Sequence, residues 1–153
     1  MDIQNSEPEW LITYHFVWGP MRAKACLVGE VASRLQKLVE EKADTPAFEP
    51  VHLVILPDRV YLVAAAPPTL APHRIVCQVK ALTSRVLRDE FPELTRIPTL
   101  WTRAYLVMAG DDISAEEVFR RYEALQRPRR PRGRPKRAQL LSSESGDEQI
   151  ADL

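Results

Sequence analysis

Cysteine is scarce in this chain, with Cys26 and Cys77 the only two among 153 residues. Two thiols build no disulfide framework, and without secretory context they are expected to be the reduced thiols of a cytoplasmic protein. Long hydrophobic runs are lacking as well. The longest falls far short of the roughly 20 apolar residues of a membrane span, so no membrane partner is expected. Residues 1–10 are acidic and polar, unlike a signal peptide. No internal repeat is visible. Net charge is absent too, since 21 basic side chains balance 21 acidic ones. That balance conceals blocks. Residues 1–126 carry 14 Lys/Arg against 17 Asp/Glu, residues 127–137 carry seven basic groups and no acid, and residues 138–153 carry four acids and no base. Such blocking points to a folded body followed by an interaction tail.

With 45% hydrophobic residues, the chain has enough for one compact domain plus that tail. Residues 1–9 read as a disordered lead-in. Trp10–Trp18 (WLITYHFVW) is rich in β-branched and aromatic residues and stops at Gly19-Pro20, which predicts a strand. Leu27, Val31, Leu35, Leu38 and Val39 recur at helical spacing, predicting an amphipathic helix to about Ala43, closed by Asp44-Thr45-Pro46. Val51–Leu56 and Val60–Ala66 are two short apolar runs split by Pro57-Asp58, the pattern of a hairpin at the centre of a sheet. Pro72 suits the first turn of a helix whose inner stripe is Ile75, Val79, Leu82 and Val86, ended by Phe91-Pro92. A polar loop over 92–99, a last strand over Leu100–Ala109, and a capping box at Ser114 to Glu117 opening a short helix to Gln126 complete the body. Strand, helix, strand, strand, helix, strand is a ferredoxin-like βαββαβ layout, an α+β antiparallel sheet with two helices on one face and a short third helix after it.

Several side chains in this frame invite chemistry. Arg59, Tyr61 and Val63 alternate along the second hairpin strand and therefore share one face. His15 and His52 are lone imidazoles without a partner at ligand spacing, and read as structural. Arg74, Arg85 and Arg88 fall nearly on one line of their helix with Lys80 beside it. That line is either a solvated face or a ridge that contacts phosphates.

PDRVYLV, residues 57–63, is similar to the PDHVHLLV segment of the single-tyrosine transposases of small bacterial insertion sequences, within the HUH superfamily. YHFVWGP from Tyr14, the Pro67–Leu70 link, LWTRAY from Leu100 and the closing helix extend the resemblance over roughly residues 12–126. The resemblance implies a nucleophilic tyrosine and, four residues on, a glutamine that completes a Mg²⁺ or Mn²⁺ site. VFRRYEALQ places Tyr122 and Gln126 at that spacing. It further implies attack on single-stranded DNA through a 5′-phosphotyrosine link, and a homodimer that exchanges the tyrosine helix. The departure lies in the motif itself, because Arg59 and Tyr61 stand at both histidine positions. With those ligands missing, no metal site and no cofactor are expected. Either the active site is lost while fold and DNA contacts stay, or Arg59 stabilises phosphate charge in the metal's place. Tyr122 also shares a stripe with Val118 and Leu125, and anchoring the helix to the sheet is its plain structural role.

RRPRGRPKR, residues 129–137, matches the AT-hook pattern. Prolines keep such a segment extended, and Gly133 lets it approach the floor of a narrow minor groove. Arg132 and Arg134 would lie along the groove, with Arg130, Lys136 and Arg137 on phosphates. A generic basic linker is the alternative. The sequence thus points to a DNA-binding protein of transposase fold with a degenerate metal site. Its body is expected to hold single-stranded or hairpin DNA and its tail AT-rich duplex. An active strand-transferase using Tyr122 is one alternative. A ferredoxin-like RNA-binding or protein-interaction module, with Tyr61 and Tyr105 as stacking platforms, is another.

Overall fold

The computed structural model describes residues 11–41 and 48–126. The lead-in, the Asp44-Thr45-Pro46 stop and the whole tail, including Arg130, Arg132, Gly133, Arg134, Lys136 and Arg137, lie outside the described residues. The elements run β1 (Ile12–Trp18), α1 (Gly29–Glu41), β2 (Glu49–Leu56), β3 (Arg59–Ala66), α2 (Pro72–Glu90), β4 (Leu106–Ala109) and α3 (Ala115–Gln126), with single 3₁₀ turns at Met21–Ala23 and Pro92–Arg96. The strands form one antiparallel sheet in the order β2-β3-β1-β4. This is the ferredoxin-like arrangement, with the two longest-paired strands, β1 and β3, in the middle.

The period-two alternation of these central strands divides the core. Tyr14, Phe16 and Trp18 of β1 and Val60, Leu62, Ala64 and Ala66 of β3 face one side. They pack on the stripes of α1 (Val31, Leu35, Leu38, Val39) and α2 (Ile75, Val76, Val79, Leu87). Val17, Tyr61 and Val63 face the other side and meet Val118 and Tyr122 of α3. Both faces are covered, so β1 and β3 are buried along most of their length and read as continuous apolar runs rather than alternating ones. Edge strand β2 keeps more exposure, with Val51 63% exposed, and its pairing slips by a bulge between Pro50 and His52. The hairpin therefore supplies one central strand and one edge strand.

The last strand is shorter than the Leu100–Ala109 run predicts. Leu100 and Trp101 are buried in the core, but Trp101 makes only an isolated bridge, to Pro20. The two bonds of that bridge are made by the flanking residues, the Met21 amide donating to the Leu100 carbonyl at 2.9 Å and the Thr102 amide to the Gly19 carbonyl at 3.0 Å. The Thr102 carbonyl turns to α2, where Lys80 Nζ donates to it at 2.6 Å. The Ser114 hydroxyl accepts the Glu117 amide at 3.2 Å, the N-cap half of the expected box. The Glu117 carboxylate turns instead to Arg121 and Arg120, which hold its pKa below the usual range. Two compact units are distinguished, Met1–Tyr122 and Glu123–Leu153. Among the described residues no helix is long and apolar enough to cross a membrane.

Candidate functional site

The face of the sheet under α3 carries a cluster of polar side chains. Tyr61 is 3% exposed and His15 5%. They are diagonal neighbours, since His15 pairs with Val63 and Val17 with Tyr61. The Tyr61 hydroxyl lies 2.7 Å from His15 Nδ1, and His15 Nε2 lies 3.0 Å from the Gly110 carbonyl. A carbonyl only accepts, so Nε2 carries the proton and donates, leaving Nδ1 of the neutral ring to accept from the tyrosine O–H. Both polar ends of the imidazole are thereby satisfied, as burial demands. Burial also pushes the Tyr61 phenol above its ordinary pKa, which keeps it protonated. His52, exposed on the edge strand, sets its ring edge-on to Tyr61 at 6.3 Å.

Arg59 stands at the mouth of this face. It pairs with its neighbour Asp58 through Nε at 3.3 Å and Nη2 at 3.2 Å, with only 13% of its side chain exposed. Its guanidinium carbon lies 5.6 Å from the Phe119 ring centre and 5.4 Å from that of Tyr122. Phe119 also meets Tyr61 edge-on at 5.3 Å. Tyr122 is 3% exposed, and its hydroxyl is seated against Gly19. A Cβ at Gly19 would stand 2.6 Å from that oxygen and 2.7 Å from the Asp58 carbonyl, so only glycine leaves room for the phenol. The structure thus brings Arg59, Tyr61 and Tyr122 into one cluster, held by stacking and packing. Gln126 belongs to the second unit, where it is exposed, as is Leu125.

The donor set of this cluster does not suit a hard divalent cation. A guanidinium has five N–H donors and no lone pair to give. The Tyr61 oxygen is held as a neutral phenol by His15, and the Asp58 carboxylate is matched by Arg59. Among the described residues no three His, Cys, Asp or Glu side chains come together as ligands. Mg²⁺ and Mn²⁺ need several oxygen donors in near-octahedral array, which these groups do not supply.

The basic line of α2 divides. Arg74 and Arg85 are exposed, while Lys80 and Arg88 are half-buried. Arg88 donates to the Ile97 carbonyl at 3.2 Å and more weakly to Pro98 at 3.4 Å, and Lys80 holds the Thr102 carbonyl. These two cations secure the chain between α2 and β4, and burial lowers the Lys80 pKa. Tyr61, proposed from sequence as a stacking platform, is buried and presents no open ring. Sequence reading missed two groupings. One is the His15–Tyr61 bond, whose signal was only a lone histidine in a strand. The other lies on α2, where His73 stacks with Tyr105 at 5.8 Å and 30°, their polar atoms 2.6 Å apart.

The family model described as "Transposase IS200 like" matches residues 9–124. The chain is 24% identical over 116 residues to the ISDra2 transposase TnpA of Deinococcus radiodurans, covering 74% of this chain and 83% of that protein. A crystal structure from Deinococcus radiodurans R1, of a protein classed provisionally as a transposase, superposes with a TM-score of 0.69 at 24% identity. The superposition covers 81% of this chain and 96% of the other.

Proposed function

The chain belongs to the IS200-like transposase family, and we propose that it acts there as a DNA-binding member that no longer cuts. DNA is the partner class of that family. The observation that carries the reading is the commitment of both motif positions. Arg59 is spent on Asp58 and on the rings of Phe119 and Tyr122, and Tyr61 on His15. A phenol with an ordinary pKa near 10 attacks a phosphodiester poorly unless a base or a cation activates it. The paired Asp58 and Arg59 and the Tyr61 phenol held by His15 are poor donors for a cation that would activate Tyr122.

In this reading the body holds single-stranded or hairpin DNA, with the exposed Arg74 and Arg85 on phosphates, and the residues 129–137 bind AT-rich duplex. The protein works in the cytoplasm as a homodimer, for which the strands β2 and β4, outermost in the sheet among the described residues, offer the edges. Electrophoretic mobility shift with labelled single-stranded, hairpin and duplex DNA tests the binding. Retardation of single-stranded or hairpin probes is expected, and their free migration at micromolar protein would refute it. Light scattering that reports a monomer at the same concentration would remove the dimer.

A further inference from the structure

Among the described residues, Tyr105 and His73 form a partly exposed ring pair that the site under α3 does not use. Tyr105 precedes β4 and is half-buried, its inner edge packed on the main core. His73, in the first turn of α2, is exposed. The two rings stack 5.8 Å apart at 30°, and the 2.6 Å contact of Nδ1 with the phenol oxygen fixes their mutual orientation. Cys77, one turn along the helix, steadies the imidazole from 3.4 Å. Lys80 lies over the Tyr105 ring with Nζ 5.7 Å from its centre, held there by the Thr102 carbonyl. Arg74 and Arg103, next in sequence to the pair, are exposed.

A preset stack flanked by cations is the chemistry that takes an unpaired base. The π face of every base stacks on an aromatic ring without regard to sequence, and neighbouring Lys and Arg track the phosphates. Orientation fixed in advance by the Tyr105–His73 bond also spares the ordering cost that a mobile side chain incurs on binding. We infer that His73 and Tyr105, with Lys80, Arg74 and Arg103 around them, form a base-stacking step for single-stranded DNA. The inference rests on the DNA-binding reading above and adds to it a subsite separate from the Arg59–Tyr122 cluster. A structural role alone would need neither an exposed outer ring nor cations beside it.

Fluorescence anisotropy of the full chain with a dye-labelled thymidylate strand, and with the same strand carrying abasic residues, tests it. Tyr105→Leu keeps apolar bulk and should weaken binding to the thymidylate strand about tenfold, as the loss of one stacked base does. Tyr105→Phe keeps the ring and loses the bond to His73, so it should weaken binding less than Tyr105→Leu does. Removing the bases should cost the natural chain a similar factor and Tyr105→Leu little more. The salt dependence should be unchanged in Tyr105→Leu and shallower by about 0.7 in Arg103→Ala, the slope of one phosphate contact on a single strand. If the thermal melt shows Tyr105→Leu unfolded, His73→Ala takes its place with the same expectation. Unchanged affinity in a folded variant overturns the stacking step and leaves DNA binding standing. Equal loss on the abasic strand also overturns it, because the ring then acts on something other than bases. A natural chain that binds neither strand overturns both readings.

Discussion

Replacing Gly19 by alanine probes the seat of Tyr122 most sharply. The added methyl would stand 2.6 Å from the Tyr122 hydroxyl and 2.7 Å from the Asp58 carbonyl. Both are well below the separation of about 3.5 Å at which nonbonded heavy atoms attract. Neither neighbour yields easily. One is the end of a ring that is 3% exposed and packed on Val118, and the other is backbone of the turn that carries Arg59. Overpacking of this kind costs about 1–3 kcal/mol. At roughly 4 °C per kcal/mol for a domain of this size, the melting temperature of Gly19→Ala should fall by about 4–12 °C. Tyr122→Phe removes one of the two collisions, so Gly19→Ala made in that background should cost less, with a coupling of roughly 1 kcal/mol. Urea denaturation of the four proteins of the cycle, read by circular dichroism, gives each term. A Gly19→Ala chain as stable as the natural one, or a double variant whose losses simply add, would show that the phenol does not sit in this niche.

Further outcomes follow from the same geometry. Calorimetry should give no stoichiometric Mn²⁺ heat with the natural chain, and Arg59→His with Tyr61→His should introduce one if Tyr122 and Gln126 face the hairpin; a strong site in the natural chain would contradict the reading of the motif. Because burial raises the Tyr61 pKa, the unfolded chain loses that proton first as pH rises, so stability should be fully present below about pH 10 and decline above it. Urea melts from pH 8 upward should show that decline in the natural chain and a weaker one in Tyr61→Phe, and equal slopes would refute it. Deleting residues 127–153 should leave the melt unchanged and sharply weaken binding to AT-rich duplex, with Arg132→Ala plus Arg134→Ala nearly as harmful. Equal competition by AT and GC duplex would reduce the segment to a generic basic arm.

Much of the frame is legible in the residues themselves. Pro72 and Phe91-Pro92 bracket α2 because proline suits a helix start and resists continuation. Alternation alone puts Arg59, Tyr61 and Val63 on one face, and the same face receives Tyr122. The last strand is overestimated because Leu100 and Trp101 are as apolar as strand residues, while Pro20, the partner in the isolated bridge of Trp101, sits 81 residues away from it. Pairings across such distances carry no local signal. The bond between His15 and Tyr61 depends on a diagonal register between β1 and β3, and the anchoring of Ile97 and Thr102 by Arg88 and Lys80 depends on where a loop lies against α2. A basic stripe on a helix looks the same whether its cations meet phosphates or backbone carbonyls.

Incubation of the full chain with labelled single-stranded and hairpin DNA in Mg²⁺ or Mn²⁺, followed by denaturing gel electrophoresis, tests the central claim most directly. The account predicts intact DNA that migrates free of protein once denatured, although the same mixtures shift in a native gel. A denaturant-resistant protein–DNA adduct that disappears in Tyr122→Phe would contradict it, and would make Tyr122 a working nucleophile.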